Sequence, residues 1–439
     1  MLLLSCLLGS GPALAWKEHY LLTDRALNTE WTAWAAESVA VEPLDRFLEA
    51  KAPQVADVFA QYEVWLAQRP GHPSAPARFA AETPDTQAFL AAARLNPDTR
   101  FALIERALPA IELPGAPISA SLVSPWIELD EPLFQPRFVD TTGGSVPIRS
   151  VLSTFADEPD WGMDIELYGR SELGYGAQPY GRPWGRSSQA PFHSLFAHES
   201  PLIAKATPGL LQGRPAERLE LFIRLSRLAL QEGHEYWGWR FAAWAIHYAQ
   251  DLTAPYRAAA LPAVDRPDQT RYALRKQKEC FQACAHQVVR NHETSLEDFV
   301  AFHLAQSFLV ERPASEAIAR ALWDNKSVFP DDGVVALVDR LTAVSAARAP
   351  VVDAVVAEAF GPAFPTDPTY DLTQDPRYSV PKAIEALNPD TAGRLTLEAV
   401  TEARTAGIAT RTVLAMVLRG LFTEGGAFQR PSALIESTP

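Results

Sequence analysis

The amino-acid sequence predicts an all-α protein, a bundle of many helices interrupted by long irregular loops. Apolar residues recur with the 3.6-residue period of an amphipathic helix over much of the 439-residue chain. Residues 216–252 form the longest such pattern, and its second half is apolar on every face, which is typical of a buried central helix. The chain also lacks βαβ alternation, a Gly-rich phosphate loop and a Gly-x-Ser-x-Gly turn, which mark common α/β enzymes.

The remaining elements follow from periodicity and from the placement of Pro and Gly. Residues 111–150 carry Pro and Gly at short intervals and fit the helical period poorly. The stretch from Asp157 to Ser188 is rich in Gly, Tyr, Trp and Arg, and predicts a long irregular loop of the kind that is often functional. The other predicted helices span residues 17–37, 43–66, 85–110, 270–290, 295–311, 333–358, 381–387 and 394–422.

The first 15 residues have the anatomy of a secretory signal, an apolar run that ends in the small-residue pattern Ala-Leu-Ala at 13–15. Cleavage after Ala15 would make Trp16 the first residue of a secreted or periplasmic protein. We expect residues 16–310 to form a helical metal-binding domain of catalytic type, with an insertion at about 40–135. Residues 311–439 are expected to form a C-terminal helical extension packed on the same core. Beyond the leader, no apolar run approaches the roughly 18 residues of a membrane span.

The charge balance narrows the function classes. A net charge of −14 argues against a general duplex-DNA binder, because such proteins need a basic face. It remains compatible with a small phosphate site, because bound metal ions can supply local positive charge.

The last turn of the central helical pattern carries the strongest candidate site. His247 and Asp251 are four residues apart, so their side chains share one helix face with Cβ atoms about 5–6 Å apart. Most His-x-x-x-Asp pairs are ordinary core or surface pairs. Here the surrounding helix is so apolar that an uncompensated carboxylate would be costly. The pair therefore predicts a bound metal ion. The carboxylate of Asp251 would either ligate one ion together with His247 or bridge two ions.

Residues 247–255 read His-Tyr-Ala-Gln-Asp-Leu-Thr-Ala-Pro. This pattern resembles the central signature of the zinc-dependent phospholipase C and single-strand-specific nuclease superfamily. Trp16, followed by His19-Tyr-Leu-Leu-Thr-Asp-Arg-Ala-Leu, resembles the first ligand pair of the same family. The resemblance implies a phospholipase C/nuclease-like helical bundle, secretion, a site for zinc and hydrolysis of phosphodiesters by a metal-bound hydroxide.

The resemblance also implies which residues bind the ions. One zinc would be held by Trp16, His19 and Asp251, and the neighbouring zinc by a loop Asp, a loop His, His247 and the same bridging Asp251. The loop acid is Asp157, with Asp160 as the near alternative; both are equally typical of turn caps. The loop histidine is His193, in Ala-Pro-Phe-His-Ser-Leu-Phe, with His198 as the alternative.

The family pattern breaks at its third zinc site. Arg257 stands where the family has a histidine, and an arginine cannot ligate zinc. The remaining ligands would come from His292 and Glu297, which are five residues apart rather than four; aligned without a gap, Glu293 takes the histidine position. We therefore expect two zinc ions. Arg257 either clamps a phosphate oxygen in place of the lost metal charge or forms a structural salt bridge with Glu293 or Glu297.

Two functions follow from these patterns. The first is a secreted zinc-dependent hydrolase in which Asp157, Asp251 and Arg257 take part in catalysis. Its substrate would be a small phosphodiester, with phospholipid favoured over single-stranded nucleic acid because the chain is acidic and has a long aromatic loop. The second is a non-catalytic metal-binding envelope protein on the same helical scaffold, which the replacement by Arg257 favours.

Overall fold

The structure, a computed structural model, describes residues 18–109, 111–126, 137–181, 189–260, 262, 281–309, 312–325, 327–361, 370–375, 377–419 and 421. Helix accounts for 62% of the structure and strand for 4%, which confirms the predicted all-α class. Within the described residues, no helix combines the length and the apolar character needed to span a bilayer.

The helices are numbered here in chain order. They are α1 His19–Ala26, α2 Leu44–Leu66, α3 Thr86–Ala92, α4 Ala120–Val123, α5 Ile148–Ala156, α6 Ala190–His193, α7 Pro201–Ala206, α8 Pro215–Gln231, α9 Glu235–Asp251, α10 Pro255–Ala258, α11 Phe281–Leu309, α12 Pro313–Ala321, α13 Val334–Phe360, α14 Val380–Glu385 and α15 Pro389–Leu418. Short 3-10 helices span Glu30–Ala36, Glu158–Trp161, Ser171–Leu173, Pro208–Leu211 and Leu372–Gln374.

The strands form two small antiparallel sheets. They are β1 Ser38–Ala40, β2 Ile104–Arg106, β3 Pro117–Ile118, β4 Phe138–Asp140 and β5 Ser145–Pro147. Strand β1 pairs with β5, and β4 lies between β2 and β3. Strand β2 packs against α5, which brings a segment of the predicted insertion close to the centre of the molecule.

Helix α9 is the central element of the fold. All 17 of its residues are buried, including the large rings of Trp237, Trp239 and Trp244. It packs against α8, α5, α15 and α1. One hydrophobic cluster surrounds most of α9 and includes Leu252 just after it, whereas a second cluster contains Tyr20 of α1 and residues of α11, α12, α13 and α15. The chain passes from the first cluster, at Leu252, to the second, at Ala254, just after the C-terminal end of α9.

The prediction of a single helix over 216–252 is wrong. Gly233 has a φ of 82°, in the left-handed region that glycine adopts without steric cost, and it separates α8 from α9. Glycine just past a helix end is the commonest C-terminal signal, so periodicity alone carried the prediction too far.

Two other helices predicted in the N-terminal part are too long. The helix expected over 85–110 ends at Ala92, because Arg94 adopts a φ of 50° and Pro97 follows; residues 104–106 form β2 instead. The helix expected over 17–37 ends at Ala26. A capping box formed by Thr29 and Thr32 then starts the short 3-10 helix.

Later predictions agree more closely. Helices α2 and α13 match the predicted spans 43–66 and 333–358 within three residues at each end. The predicted helices 270–290 and 295–311 are one continuous helix, α11, in the part that the structure describes; residues 263–280 lie outside the described residues.

Candidate metal centre

The last turn of α9 places two functional groups just before the point where the chain passes from one hydrophobic cluster to the other. His247 and Asp251 are fully buried, and His247 Nε2 lies 3.3 Å from Asp251 Oδ2. The four-residue spacing in a helix brings them to the same face, as the sequence predicts. The carboxylate therefore has a histidine partner from its own helix before any other element contributes.

A second histidine reaches the same carboxylate oxygen from the long loop region. His193 ends the short helix α6, and its Nδ1 lies 2.7 Å from Asp251 Oδ2 and 3.2 Å from His247 Nε2. Ligand atoms about 2.0–2.1 Å from a tetrahedral zinc ion lie about 3.3 Å from one another. These three atoms therefore have nearly the mutual spacing of the ligands of one ion.

The other oxygen of Asp251 faces a histidine from α1. His19 Nε2 lies 3.3 Å from Asp251 Oδ1, and both atoms are buried without a hydrogen-bond partner among the described residues. Buried polar atoms are nearly always satisfied, so this pair needs a proton or a cation between its members. The two carboxylate oxygens of Asp251 thus face two different sets of histidines, each at a position where a cation could bind.

Hydrogen bonds on the far side of the rings set their orientation. His247 Nδ1 lies 2.8 Å from the carbonyl oxygen of Ala156, which can only accept, so Nδ1 carries the proton. His19 Nδ1 lies 2.8 Å from Gln250 Oε1, and the Gln250 amide donates to Thr23 and Thr410. Both rings therefore direct Nε2, the nitrogen that would bind a metal, toward Asp251.

Asp160 lies at the solvent-facing edge of the cluster. Its Oδ1 is 3.8 Å from His247 Nε2, and its side chain is 22% exposed, whereas the histidines and Asp251 are almost fully buried. Two groups of side chains could hold a metal ion, each with ligand atoms within 4.8 Å of one another: His193, His247 and Asp251, and His19, Asp160 and His247.

Asp157, the first choice for the loop acid, has other partners. Its Oδ2 accepts from Arg106 Nη1, and its Oδ1 accepts the backbone N–H of Tyr20 at 2.9 Å. On sequence grounds Asp157 came first and Asp160 was the near alternative, but the structure places Asp160 rather than Asp157 in a group that could bind metal.

The electrostatics of the cluster are compatible with a bound cation. Burial alone would lower the pKa of His19, but the nearby negative charge of Asp251 outweighs burial and raises it. Burial likewise opposes the charge on His193, whose pKa the neighbouring Asp164 and Asp251 raise to about 10. Burial disfavours the charged form of Asp251, yet the surrounding histidines hold its pKa well below the usual range. A cation could therefore replace the positive charge that protons otherwise bring to this buried carboxylate.

Asp164 is the functional residue that sequence reasoning missed. It is fully buried and accepts from Arg218 at 2.5 Å and from the Tyr248 hydroxyl at 2.6 Å, and His193 Nε2 lies 3.2 Å away. Burial would raise the pKa of Asp164, but Arg218 and His193 lower it to about 2. The sequence around Asp164 carries no motif, and the partner that identifies it, Arg218, is 54 residues away.

Arg257 and Glu293, which the family resemblance would place at a third zinc site, form an ion pair. Arg257 is buried, and its Nε lies 3.2 Å from Glu293 Oε1. Burial disfavours the charge on Arg257, but Glu293, Glu297, Asp251 and Asp160 raise its pKa, so it stays a cation.

His292 and His198 point elsewhere. His292 Nδ1 lies 2.8 Å from Asp353 Oδ1, on helix α13, and the Tyr256 hydroxyl donates to the same oxygen at 3.2 Å. His198 Nε2 lies 3.2 Å from the exposed carboxylate of Asp339. Neither residue belongs to the two groups that could hold metal.

Two predictions fall outside the described residues, namely the ligand Trp16 and the signal segment 1–15.

In comparisons with known proteins, no family model, no curated protein and no solved structure matches this chain.

Proposed function

We propose that this chain is a zinc-dependent phosphodiester hydrolase of the phospholipase C and nuclease type, with two zinc positions bridged by Asp251. One observation carries the proposal. The two oxygens of a single buried carboxylate face separate histidine sets, His19 at 3.3 Å on one side and His193 and His247 at 2.7 and 3.3 Å on the other. A bridging carboxylate is a common way to hold two metal ions close together.

The residues present fit zinc. Imidazole nitrogens and carboxylate oxygens are common zinc ligands, and the orphaned atoms His19 Nε2 and Asp251 Oδ1 would both be satisfied by an ion. His193, His247 and Asp251 would hold one ion, and Asp160 lies in the other group, with His19 and His247. His19 and Asp251 would hold the other, with Trp16 as the further ligand that the family resemblance implies. Bound zinc would supply Lewis acidity, lowering the pKa of a coordinated water and polarising a phosphoryl oxygen.

The protein fixes the orientation of the ligand rings. The backbone carbonyl of Ala156 and the side chain of Gln250 fix the rings of His247 and His19, so the ligand atoms are preorganised. Asp160 is the most exposed of the grouped residues, so a phosphodiester group would approach from its side. A phospholipid headgroup or a single-stranded nucleic acid presents such a group, and we retain both as substrate classes.

The pairing of Arg257 favours the alternative function, a non-catalytic metal-binding protein of the cell envelope. Its guanidinium faces Glu293 at 3.2 Å, as a structural salt bridge would. In that case the zinc pair would be retained and the hydrolytic rate would be low.

Zinc content and hydrolysis separate these functions. The full chain, and a version that begins at Trp16, would be analysed for zinc and assayed with bis(p-nitrophenyl) phosphate, a short-chain phosphatidylcholine and single-stranded DNA. We expect about two zinc ions per chain and hydrolysis of at least one substrate. His247→Ala should lose both zinc and activity, because its Nε2 belongs to both groups.

His303→Ala is the matched control. His303 is also buried, but its Nδ1 lies 3.0 Å from Ser315 Oγ, outside the centre. Zinc binding without hydrolysis would favour the envelope protein, and a wild-type chain without zinc would rule out both functions.

A further inference from the structure

His19 reaches the centre from the first described turn of the chain, and one ion pair holds both of its neighbours. Arg106 Nη2 donates to Glu18 Oε2 at 2.9 Å, and Arg106 Nη1 donates to Asp157 Oδ2. Asp157 Oδ1 accepts the backbone N–H of Tyr20 at 2.9 Å. The residue before His19 and the residue after it are therefore fixed by the same Arg–Asp pair.

Further contacts lock this pair to the surrounding elements. The Tyr20 hydroxyl donates to the backbone carbonyl of Arg106 at 2.9 Å, and the guanidinium lies 4.6 Å from the centre of the Tyr20 ring. The backbone N–H of Arg106 donates to Thr154 Oγ1 at 3.0 Å, which ties β2 to α5. The side chains of Arg106, Asp157 and Glu18 are all more than nine-tenths buried. Buried charges with this many partners form a rigid unit.

We propose that the Arg106–Asp157 pair is a positioning unit for His19, which sets the His19 imidazole against Asp251 Oδ1. Asp157 then acts through the backbone of α1, not as a metal ligand. Strand β2, within a segment that carries no motif, supplies the arginine. The inference rests on the proposed function in one respect, that the position between His19 and Asp251 holds zinc.

An arginine is needed for this geometry. Its planar fork reaches Glu18 with one terminal nitrogen and Asp157 with the other. A lysine offers a single point charge on a flexible stem and cannot hold both carboxylates in the same arrangement. Arg106→Lys therefore keeps the charge and removes the fork.

The test measures each zinc position separately in the full chain. In Arg106→Lys we expect the affinity of the His19-side zinc to fall by about 10–100-fold, the usual effect of losing an outer-shell partner. The zinc held by His193 and His247 should keep its affinity. Chelator competition gives the two affinities, and cobalt substitution reports the two positions by their visible spectra.

Arg149→Lys is the matched control. Arg149 Nε donates to Asp24 Oδ1 at 2.6 Å, so this pair also ties α5 to α1, but it lies beyond His19 in the helix. Equal loss of zinc in Arg149→Lys would overturn the proposal, because general docking of α1 would then explain the effect. Unchanged zinc affinities in Arg106→Lys would also overturn it. Should Arg106→Lys fail to fold, Asp157→Asn tests the same unit and should show the same one-sided loss.

A readout without metal separates this inference from the proposed function. The imidazole resonances of His19, assigned by comparison with His19→Gln, should shift in metal-free Arg106→Lys while those of His193 and His247 stay in place. A wild-type chain that binds no zinc would defeat the proposed function alone, and these resonances would still decide the positioning unit. An unchanged His19 signal would overturn it.

Discussion

The two sides of the Asp251 carboxylate are supported in different ways. On the His193 side, one fully buried acid, Asp164, gathers Arg218, Tyr248 and His193 itself within 2.5 to 3.2 Å. On the His19 side, the ring is held by the neutral side chain of Gln250 at 2.8 Å, and the backbone is held through the Arg106–Asp157 pair.

This difference predicts how zinc binding on each side should respond to substitution of the supporting residues. The His193 side concentrates its support in one buried charge, so the loss of that charge should be severe. The His19 side distributes its support over several contacts, which join residues from 51 to 231 positions apart in the chain. Each of those contacts should contribute a smaller share.

Asp251→Asn should have the largest effect, because it removes the group common to both sides. We expect zinc to be lost from both positions, with a fall in affinity above the roughly 10–100-fold seen for outer-shell changes. Zinc content and chelator competition measure this loss. Asp353→Asn is the matched control, since Asp353 is also a buried acid that pairs with a histidine, His292, outside the centre. Retention of zinc on either side in Asp251→Asn would contradict the bridging role.

Asp164→Asn should break only the His193 side. The change leaves the buried guanidinium of Arg218 without its counter-charge, which typically costs 3–5 kcal/mol of stability. We also expect the His193-side zinc to bind about 10–100-fold more weakly, with the His19-side zinc unaffected. Denaturant titration and the two zinc affinities measure these effects.

Tyr248→Phe measures how much of the effect of Asp164→Asn is due to the loss of a single hydrogen bond. It removes one donor to Asp164 and keeps the charge pair, so a loss of about 1 kcal/mol is expected. If Asp164→Asn were no worse than Tyr248→Phe, the support of the His193 side would not be concentrated in the Asp164 charge.

The sequence predicted the parts of the centre that depend on local spacing. His247 and Asp251 were predicted from their four-residue spacing on one helix, and His19 and His193 were predicted from resemblance to family motifs. The sequence favoured Asp157 over Asp160. It could not show that Arg106 engages Asp157, because Arg106 lies about 50 residues earlier and on a strand that the periodicity assigned to a helix.

The fold was predictable to a similar degree. The helical class was predictable because the periodicity of apolar residues is a pattern to which many residues contribute. The break between α8 and α9 depends on the backbone conformation of the single residue Gly233, and the pattern of apolar residues continues across it. Asp164 could not be singled out either, because its role is defined by the distant Arg218 and not by its neighbours.

Thr410→Val should have the smallest effect. It tests whether the contacts that support the His19 side each contribute a small share. Thr410 Oγ1, on α15, accepts from Gln250 Nε2 at 2.9 Å, and Gln250 in turn orients His19. Valine has nearly the same shape but cannot accept, so the Gln250 amide loses this bond and keeps the one to Thr23. We expect a loss of about 1 kcal/mol in stability and a fall in His19-side zinc affinity smaller than the roughly 10-fold lower bound for direct outer-shell partners.

Thr405→Val is the control on the same helix, because the Thr405 hydroxyl bonds at 3.1 Å to the backbone carbonyl of Thr401 in α15 itself. It should change stability by a similar amount and leave both zinc affinities unchanged. A fall in zinc affinity in Thr410→Val as large as that in Arg106→Lys would mean that the His19 side also depends on a single contact. The contrast between the two sides of Asp251 would then lie in which contact dominates, not in how the support is distributed.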